Sequence, residues 1–291
     1  MSRSITVSPS QLEAMGCRLA WHLGYKEGYR AMRSSEALEL GTGVHAGLEY
    51  YYSGKGHPVE GFDQWSEKRM KELDPKWDDD REAMEKANTL GRGMLEGYYE
   101  KWHGNDDFEV IATEKTLRRR LPVPGTGSES KCYLVARLDG LVRDLTTGKI
   151  FSLEHKTFSR FSMSDMDRNH QFTAQVWLGQ ALAEQMGINE PVVGVIYNGL
   201  RKQLPGPKVK LALFERHKIY RTERSIEVFL HRAYWQYREM SGKIPIYPQP
   251  NTVKCGQCDF KEVCLEYHRG GDWKFILDNS FTKREEISNG R

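Results

Sequence analysis

Leu138-Asp139-Gly140-Leu141, followed by Ser152-Leu153-Glu154-His155-Lys156-Thr157, is the stretch on which the fold turns. Tyr133 to Leu145 and Lys149 to Thr157 read as two strands, with Thr146-Thr147-Gly148 between them as a short hairpin connection. Strand side chains alternate, so Glu154 and Lys156 share one face while Leu153 and His155 point to the other. A two-residue turn flanked by Leu145 and Gly148 sets Asp139 directly opposite Glu154, and opposed residues project to the same side. The hairpin is therefore expected to gather two carboxylates and an ammonium on one patch of a sheet otherwise built for burial. Two clustered carboxylates repel unless a cation or a shared proton compensates. Hard oxygen ligands with few protein contacts suit Mg²⁺ or Mn²⁺, with water and a phosphate completing the shell. A lysine two positions on can steady or help deprotonate an attacking water. An E-x-K in a strand is by itself more often a surface ion pair; the opposed aspartate gives it weight.

Outward from the hairpin the periodicity supplies the rest. Phe108 to Leu121 alternates Val110, Ala112 and Leu117 with polar residues as a further strand, and Pro122 to Ser128 is a loop. Ser164 is read as the cap of a helix running to about Met186, with Phe172, Val176, Ala183 and Met186 on its apolar face. Val192 to Leu200 is a buried strand, Arg201 to Lys208 a basic loop and Val209 to Tyr220 a strand; a last amphipathic helix carries Ile226, Phe229, Ala233 and Tyr237. Near the start, Ser8 caps a helix with Pro9 in its first turn and Gln11 completing a capping box, and Cys17 is placed on that helix. Gly41-Thr42-Gly43 opens a second helical stretch with Val44, His45, Leu48 and Glu49, and residues 62–103 read as helical. No internal repeat is present, and after Gly271 the tail reads as polar and partly mobile. The expected organisation is 1–30 (N-terminal segment), 31–104 (helical region with His45), 105–241 (core sheet and helices), 242–270 (cysteine-rich segment) and 271–291 (tail).

Composition excludes several classes. Of 291 residues, 38% are hydrophobic and 29% charged, and the longest apolar run, Val192 to Tyr197, falls far short of the ~20 residues of a membrane helix. Glycine (27) and proline (11) are too few for a collagenous or low-complexity chain. A net charge of +3, from 43 basic and 40 acidic residues, is too near neutrality to argue a polyanionic partner. Met1-Ser2-Arg3-Ser4 begins no apolar signal core, so an intracellular, cytoplasmic protein is expected.

Five cysteines, an odd number without a signal, argue against a secreted disulfide framework. Cys255-Gly-Gln-Cys258-Asp-Phe-Lys-Glu-Val-Cys264 spaces three thiolates closely enough to converge on one soft metal. A fourth ligand is needed, and Cys17, Cys132 and His268 are the candidates. With His268 the site is a local zinc knot; with Cys17 one centre ties the two ends of the chain together.

Asp139 followed by Glu154-His155-Lys156 after a hairpin resembles the PD-(D/E)XK nuclease superfamily. Gly41-Thr42-Gly43-Val44-His45 looks like the helical metal-ligand motif of its RecB-type branch. Cys17 with Cys255, Cys258 and Cys264 looks like the split iron–sulfur site of the CRISPR-associated RecB-like exonucleases and the AddB helicase–nuclease subunit. The likeness spans roughly residues 8 to 268. It implies an α/β (α+β) fold with a restriction-endonuclease-like αβββαβ core, a helical N-terminal insertion and a C-terminal iron–sulfur segment.

The resemblance also assigns roles. Asp139 and Glu154 would hold one or two Mg²⁺ or Mn²⁺ ions, with His45 and the His155 carbonyl as further ligands, and Lys156 would position or activate the water. The family's following helix often bears Q-x-x-x-Y near the DNA; here Gln171 and Gln175 are available, but neither is followed four residues later by tyrosine. Glu114 is a candidate support outside the metal shell. The cysteines would hold a structural 4Fe-4S cluster, with zinc on Cys255, Cys258, Cys264 and His268 as the alternative, and Cys132 would be a small buried strand residue. Arg160, Arg118-Arg119-Arg120 and the Arg201 to Lys210 loop are candidate contacts to backbone phosphates. The expected function is metal-dependent DNA cleavage, as an exonuclease in DNA processing, recombination or repair. The alternative is a catalytically silent DNA-binding scaffold. No G-x-x-x-x-G-K-[ST] motor motif is present, so a helicase or recombination partner would be a separate chain.

Overall fold

The computed structural model describes residues 5–32, 35–72, 78–160, 162–204, 206 and 213–283. Ile5–Val7 (β1) leads into a helix, Pro9–Ala14 (α1), whose Ser8 cap accepts from the Gln11 N–H at 3.2 Å, as the capping pattern predicts. Cys17 does not lie on that helix. It is the N-cap of the next one, Arg18–Trp21 (α2), which runs on as a π-helical turn over His22–Lys26 before Tyr29–Ala31 (β2).

Glu36–Tyr52 (α3) begins well before Gly41, under a Ser35 cap that accepts from the Leu38 N–H at 3.2 Å, so the Gly-Thr-Gly run lies inside the helix and does not open it. Two helices, Pro58–Glu72 (α4) and Asp78–Trp102 (α5), stand where one stretch over 62–103 was expected. Glycine weakens a helix interior, and close packing explains why it is there. A Cβ on Gly43 would stand 2.5 Å from the Phe62 and Trp65 rings, and one on Gly47 would stand 2.6 Å from the Pro58 carbonyl oxygen and 2.7 Å from Leu95. The three helices thereby bury Leu40, Val44, Leu48, Phe62, Leu95 and Tyr98 as one core. Gly47→Ala is expected to destabilise the chain by about 1–3 kcal/mol through overpacking against backbone, measured by denaturant unfolding; an unchanged midpoint would refute the close-approach argument.

Three strands follow: Phe108–Pro122 (β3), Glu129–Asp144 (β4) and Ile150–Phe158 (β5). Met163–Asp167 (α6) and His170–Gln185 (α7) lead to Val192–Arg201 (β6), Phe214–Tyr220 (β7) and Glu223–Met240 (α8). Ser164 lies within α6. The cap of α7 is Asn169, whose side chain accepts from the Gln171 and Phe172 N–H groups at 2.9 and 3.3 Å. Phe172, Val176 and Ala183 are buried as expected, whereas Met186, past the helix end, is exposed. Residues 207–212, where the next expected strand began, lie outside the described residues.

Thr252–Gly256 (α9) and Lys261–Arg269 (α10) carry the clustered cysteines. Beyond Gly271 the chain folds back, against the expectation of a polar tail. Asp272 caps Trp273–Ser280 (α11), and Phe281–Lys283 (β8) pairs antiparallel with β2. Leu277 and Phe281 join Leu19, Leu23, Phe260 and Val263 in a small core of their own, which is what draws the segment down. Residues 284–291 lie outside the described residues.

The main sheet has six strands in the order β1-β4-β5-β6-β7, with β3 along the other edge of β4. The crossover through α7 makes β5 and β6 parallel, and the helix–three strands–helix–strand order matches the one read from the sequence. The edge of β4 away from β3 is shared: β1 takes Cys132–Leu134 and β5 takes Gly140–Arg143. Between them residues 135–139 have no strand partner on that edge among the described residues. One sheet face packs on α7 and α8, and the other meets α3 and α5. No helix among the described residues is long and apolar enough to cross a membrane.

Candidate active site

Asp139 is the last residue of that partnerless stretch of β4. The hairpin holds the expected register, Gly140 opposite Leu153 and Leu141 opposite Ser152, although its connection spans Leu145 to Gly148 and not two residues. One step beyond Gly140–Leu153 the ladder stops. The His155 N–H instead donates to Asp139 Oδ2 at 2.7 Å, so a carboxylate oxygen takes the place of a strand carbonyl. Asp139 and Glu154 thus come to the same end of the hairpin without forming a ladder pair.

Glu154 is 2% exposed and lies on the α7 side of the sheet. Lys156 Nζ stands 2.5 Å from its Oε1, Gln171 Nε2 donates to the same oxygen at 2.8 Å, and Gln175 Nε2 donates to Oε2. Burial pushes the Glu154 carboxyl above the usual range, against the pull of Lys156. Burial also works against the charged form of Asp139, but the His45 ring and the His155 N–H prevail and hold it well below that range. Lys156 is raised because Glu154 outweighs its desolvation. His45, on α3, brings Nδ1 to 3.4 Å from Asp139 Oδ1 and keeps a third of its side chain exposed; carboxylate neighbours raise it against burial.

On the α3 side the His155 ring is buried, stacked on Tyr52 with centroids 5.5 Å apart, and its Nδ1 lies 2.7 Å from Asn198 Nδ2. Burial depresses its pKa to about 3, so the imidazole is neutral. Asn198 and Arg216, which complete this buried polar set, escaped the sequence reading. The available signal was a lone asparagine in the apolar run Val195-Ile196-Tyr197-Asn198-Gly199.

The other expected residues range from the edge of this set to the sheet periphery. Glu114, on β3 between the partners of Leu138 and Gly140, sits beside Asp139 and pairs with Arg137, which also reaches Glu49 at 3.3 Å. Arg118 and Arg120 lie over the Tyr133 ring at 4.0 and 5.2 Å, and Arg119 lies over Trp177 at 5.0 Å. Arg201 is held by Glu215 at 3.0 Å and by the Ser159 carbonyl at 3.0 Å, and most of the loop after it is outside the described residues. Arg160 is exposed just past β5, and Gln175 is fully buried while Gln171 is half-buried.

The carboxylates of Asp139 and Glu154 offer hard oxygen donors of the kind Mg²⁺ or Mn²⁺ takes, with the borderline imidazole of His45 beside Asp139. Among the described residues no three His, Cys, Asp or Glu side chains are drawn together tightly enough to grip a metal, and at this site Glu154 is directed at Lys156 and the glutamines. The buried, ionisable Glu154 beside an ionised Asp139 fits a cation, with Lys156 as its present counter-charge.

A second cluster stands at the other end of the chain. Cys17, Cys255, Cys258, Cys264 and His268 all line one cavity of about 490 Å³, walled by Leu19, Phe260 and Pro248. The Gln249 N–H points at Cys17 Sγ (3.4 Å) and the Asn251 N–H at Cys255 Sγ (3.2 Å). Burial raises the Cys258 and Cys264 thiols, and although the four cysteines line one cavity, no three of them are drawn, among the described residues, into a group that could hold a metal ion. Cys132 is fully buried in β4, where desolvation pushes its thiol to about 12.

Among curated proteins none matches the chain. The family description of the PD-(D/E)XK nuclease superfamily matches residues 6–265, a span that runs from β1 through the last clustered cysteine and takes in Asp139, Glu154 and Lys156. Most of the chain is covered, and the mixed sheet with its interrupted β4 edge is consistent with that superfamily's restriction-endonuclease-like fold. The chain belongs to the PD-(D/E)XK nuclease superfamily.

Proposed function

We propose that the protein is a Mg²⁺- or Mn²⁺-dependent deoxyribonuclease of the RecB type, which hydrolyses phosphodiester bonds from DNA ends. The observation that carries this reading is the convergence of Asp139, Glu154, Lys156 and His45 where β4 loses its strand partner. A bound divalent ion would supply Lewis-acid stabilisation of the developing phosphorane charge. Asp139, Glu154, His45 and the His155 carbonyl would hold it. Lys156, ion-paired yet 36% exposed, orients the attacking water and offsets phosphate charge. Gln175 holds Glu154 from within the core, and Gln171, which keeps surface, reaches from the same carboxylate toward DNA. Arg160 would meet a neighbouring phosphate.

The cysteines would form a structural 4Fe-4S site from Cys17, Cys255, Cys258 and Cys264, supported by their shared cavity and its two N–H donors to sulfur. Digestion of end-labelled single- and double-stranded DNA with either ion, against circles and blocked ends, tests the function. Mononucleotide release from free ends only is the expected result. Cutting of circles removes the exonuclease reading, and no cleavage with either ion favours the silent scaffold.

A further inference from the structure

A row of polar side chains crosses the sheet behind the hairpin. His155 on β5 is the register neighbour of Asn198 on β6, and Asn198 is that of Arg216 on β7. His155 and Asn198 are 2% and 0% exposed, and the Arg216 side chain 5%. Buried polar groups require partners, and these three supply one another.

Their donor and acceptor roles follow from one fact: a guanidinium has only donors. Arg216 Nε donates at 3.0 Å to the Asn198 oxygen. The Asn198 NH₂ therefore faces the other way, where it donates to the Tyr98 hydroxyl at 2.9 Å and to His155 Nδ1 at 2.7 Å. A donor against Nδ1 leaves that nitrogen unprotonated, so the ring proton sits on Nε2. The remaining Arg216 donors reach Asp106 and Asp107 at 2.6 Å each, and its guanidinium lies 3.7 Å over the Trp102 ring. The far end of the row is thus anchored in the segment that enters β3.

What the near end holds is the His155 peptide. On the β4 side its ladder has ended, and its N–H reaches Asp139 in place of a strand carbonyl. Its placement depends on β6 and on the partners of its ring. We propose that Asn198 and Arg216 are positioning residues of the active site, which act through His155. They hold the ring in one orientation and one tautomer, and so keep the peptide N–H on Asp139 and the adjoining carbonyl facing the site. The inference rests on the nuclease reading above and adds to it the sheet edge that sets the geometry.

The test uses the full chain. ¹⁵N spectra of the wild-type His155 ring are expected to show the neutral Nε2–H tautomer. Asn198→Asp sets an acceptor against Nδ1. It is expected to move the proton to Nδ1, weaken Mn²⁺ binding (read by electron paramagnetic resonance titration) about 10- to 100-fold, and lower kcat with little change in KM for DNA. In a His155→Phe background Asn198→Asp should have no further effect on Mn²⁺ affinity. A wild-type Nδ1–H tautomer overturns the proposal, as does a variant with unchanged tautomer and affinity. Should Asn198→Asp not fold, Arg216→Lys, which keeps the charge and loses the fork, carries the same readouts. A wild-type chain that binds Mn²⁺ yet cuts no DNA overturns the nuclease reading alone, because the tautomer and affinity measurements still decide the role of the row.

Discussion

Lys156→Met is expected to lower DNA cleavage by about 10²- to 10⁴-fold, the range for loss of a positioned acid–base group, while DNA binding holds. Methionine keeps an unbranched stem as far as Cε and removes the ammonium that stands 2.5 Å from Glu154. Lys156→Arg separates the two roles of that ammonium. Arginine restores a phosphate counter-charge but not the compact ammonium that stands on Glu154, so a still-inactive Lys156→Arg assigns the loss to the placement of the ammonium on the water and not to charge alone. Rates at the wild-type level in Lys156→Met would remove the residue from the chemistry.

The same substitution has a stability signature with a definite sign. Glu154 is 2% exposed, and burial already raises its pKa with Lys156 in place. Without that cation a buried carboxylate is left unpaired, a loss of about 3–5 kcal/mol. A group whose folded pKa lies above its unfolded value destabilises the native state as pH rises from the unfolded value through the folded one. The unfolding midpoint of Lys156→Met should therefore approach wild type in acid, fall as pH rises from the ordinary carboxylate range to the raised Glu154 value, and level off above it. A deficit independent of pH would trace to lost packing of the lysine stem.

How much of this was readable beforehand differed by element. The hairpin register was legible because strand alternation and a short turn constrain each other; a one-residue slip would have turned Glu154 and Lys156 out of the site. His45 was legible only as part of a Gly-Thr-Gly-Val-His run. The start of its helix was misplaced because glycines that permit the α3–α4–α5 packing look locally like helix breakers. Asn169 and Ser164 both carry the side-chain chemistry of a cap, and only the break between α6 and α7, invisible in the sequence, decides for Asn169. The return of α11 and β8 had a signal in Trp273, Phe275, Ile276 and Leu277 after Asp272, which was overridden by the polar residues around them. Asn198 and Arg216 had the weakest signal, because their partnership exists only across the assembled sheet.

If the cysteines hold the cluster proposed above, Cys17→Ser yields purified protein without its iron and loosens the whole C-terminal segment, with the main sheet intact. Cys17 precedes α2, the other three cysteines follow α8, and between these ends the described contacts form a small core of Leu19, Leu23, Phe260, Val263, Leu277 and Phe281. So few apolar side chains are weak support for a closure between positions 17 and 255 of the chain. A cross-link over a loop of that length removes about 5 kcal/mol of unfolded-state entropy, and metal binding that occurs only in the folded state adds directly to stability. Limited proteolysis should accordingly cut the variant first between α8 and β8, and anaerobically purified protein should lose both its iron and its visible absorption. His268→Ala is the counterpart: it should leave the metal in place if four cysteines bind it and remove it if the site is a zinc knot on three cysteines and the histidine. Full metal content in Cys17→Ser together with loss in His268→Ala would transfer the site to zinc, and the two ends of the chain would then be joined by that small apolar core and not by a common metal.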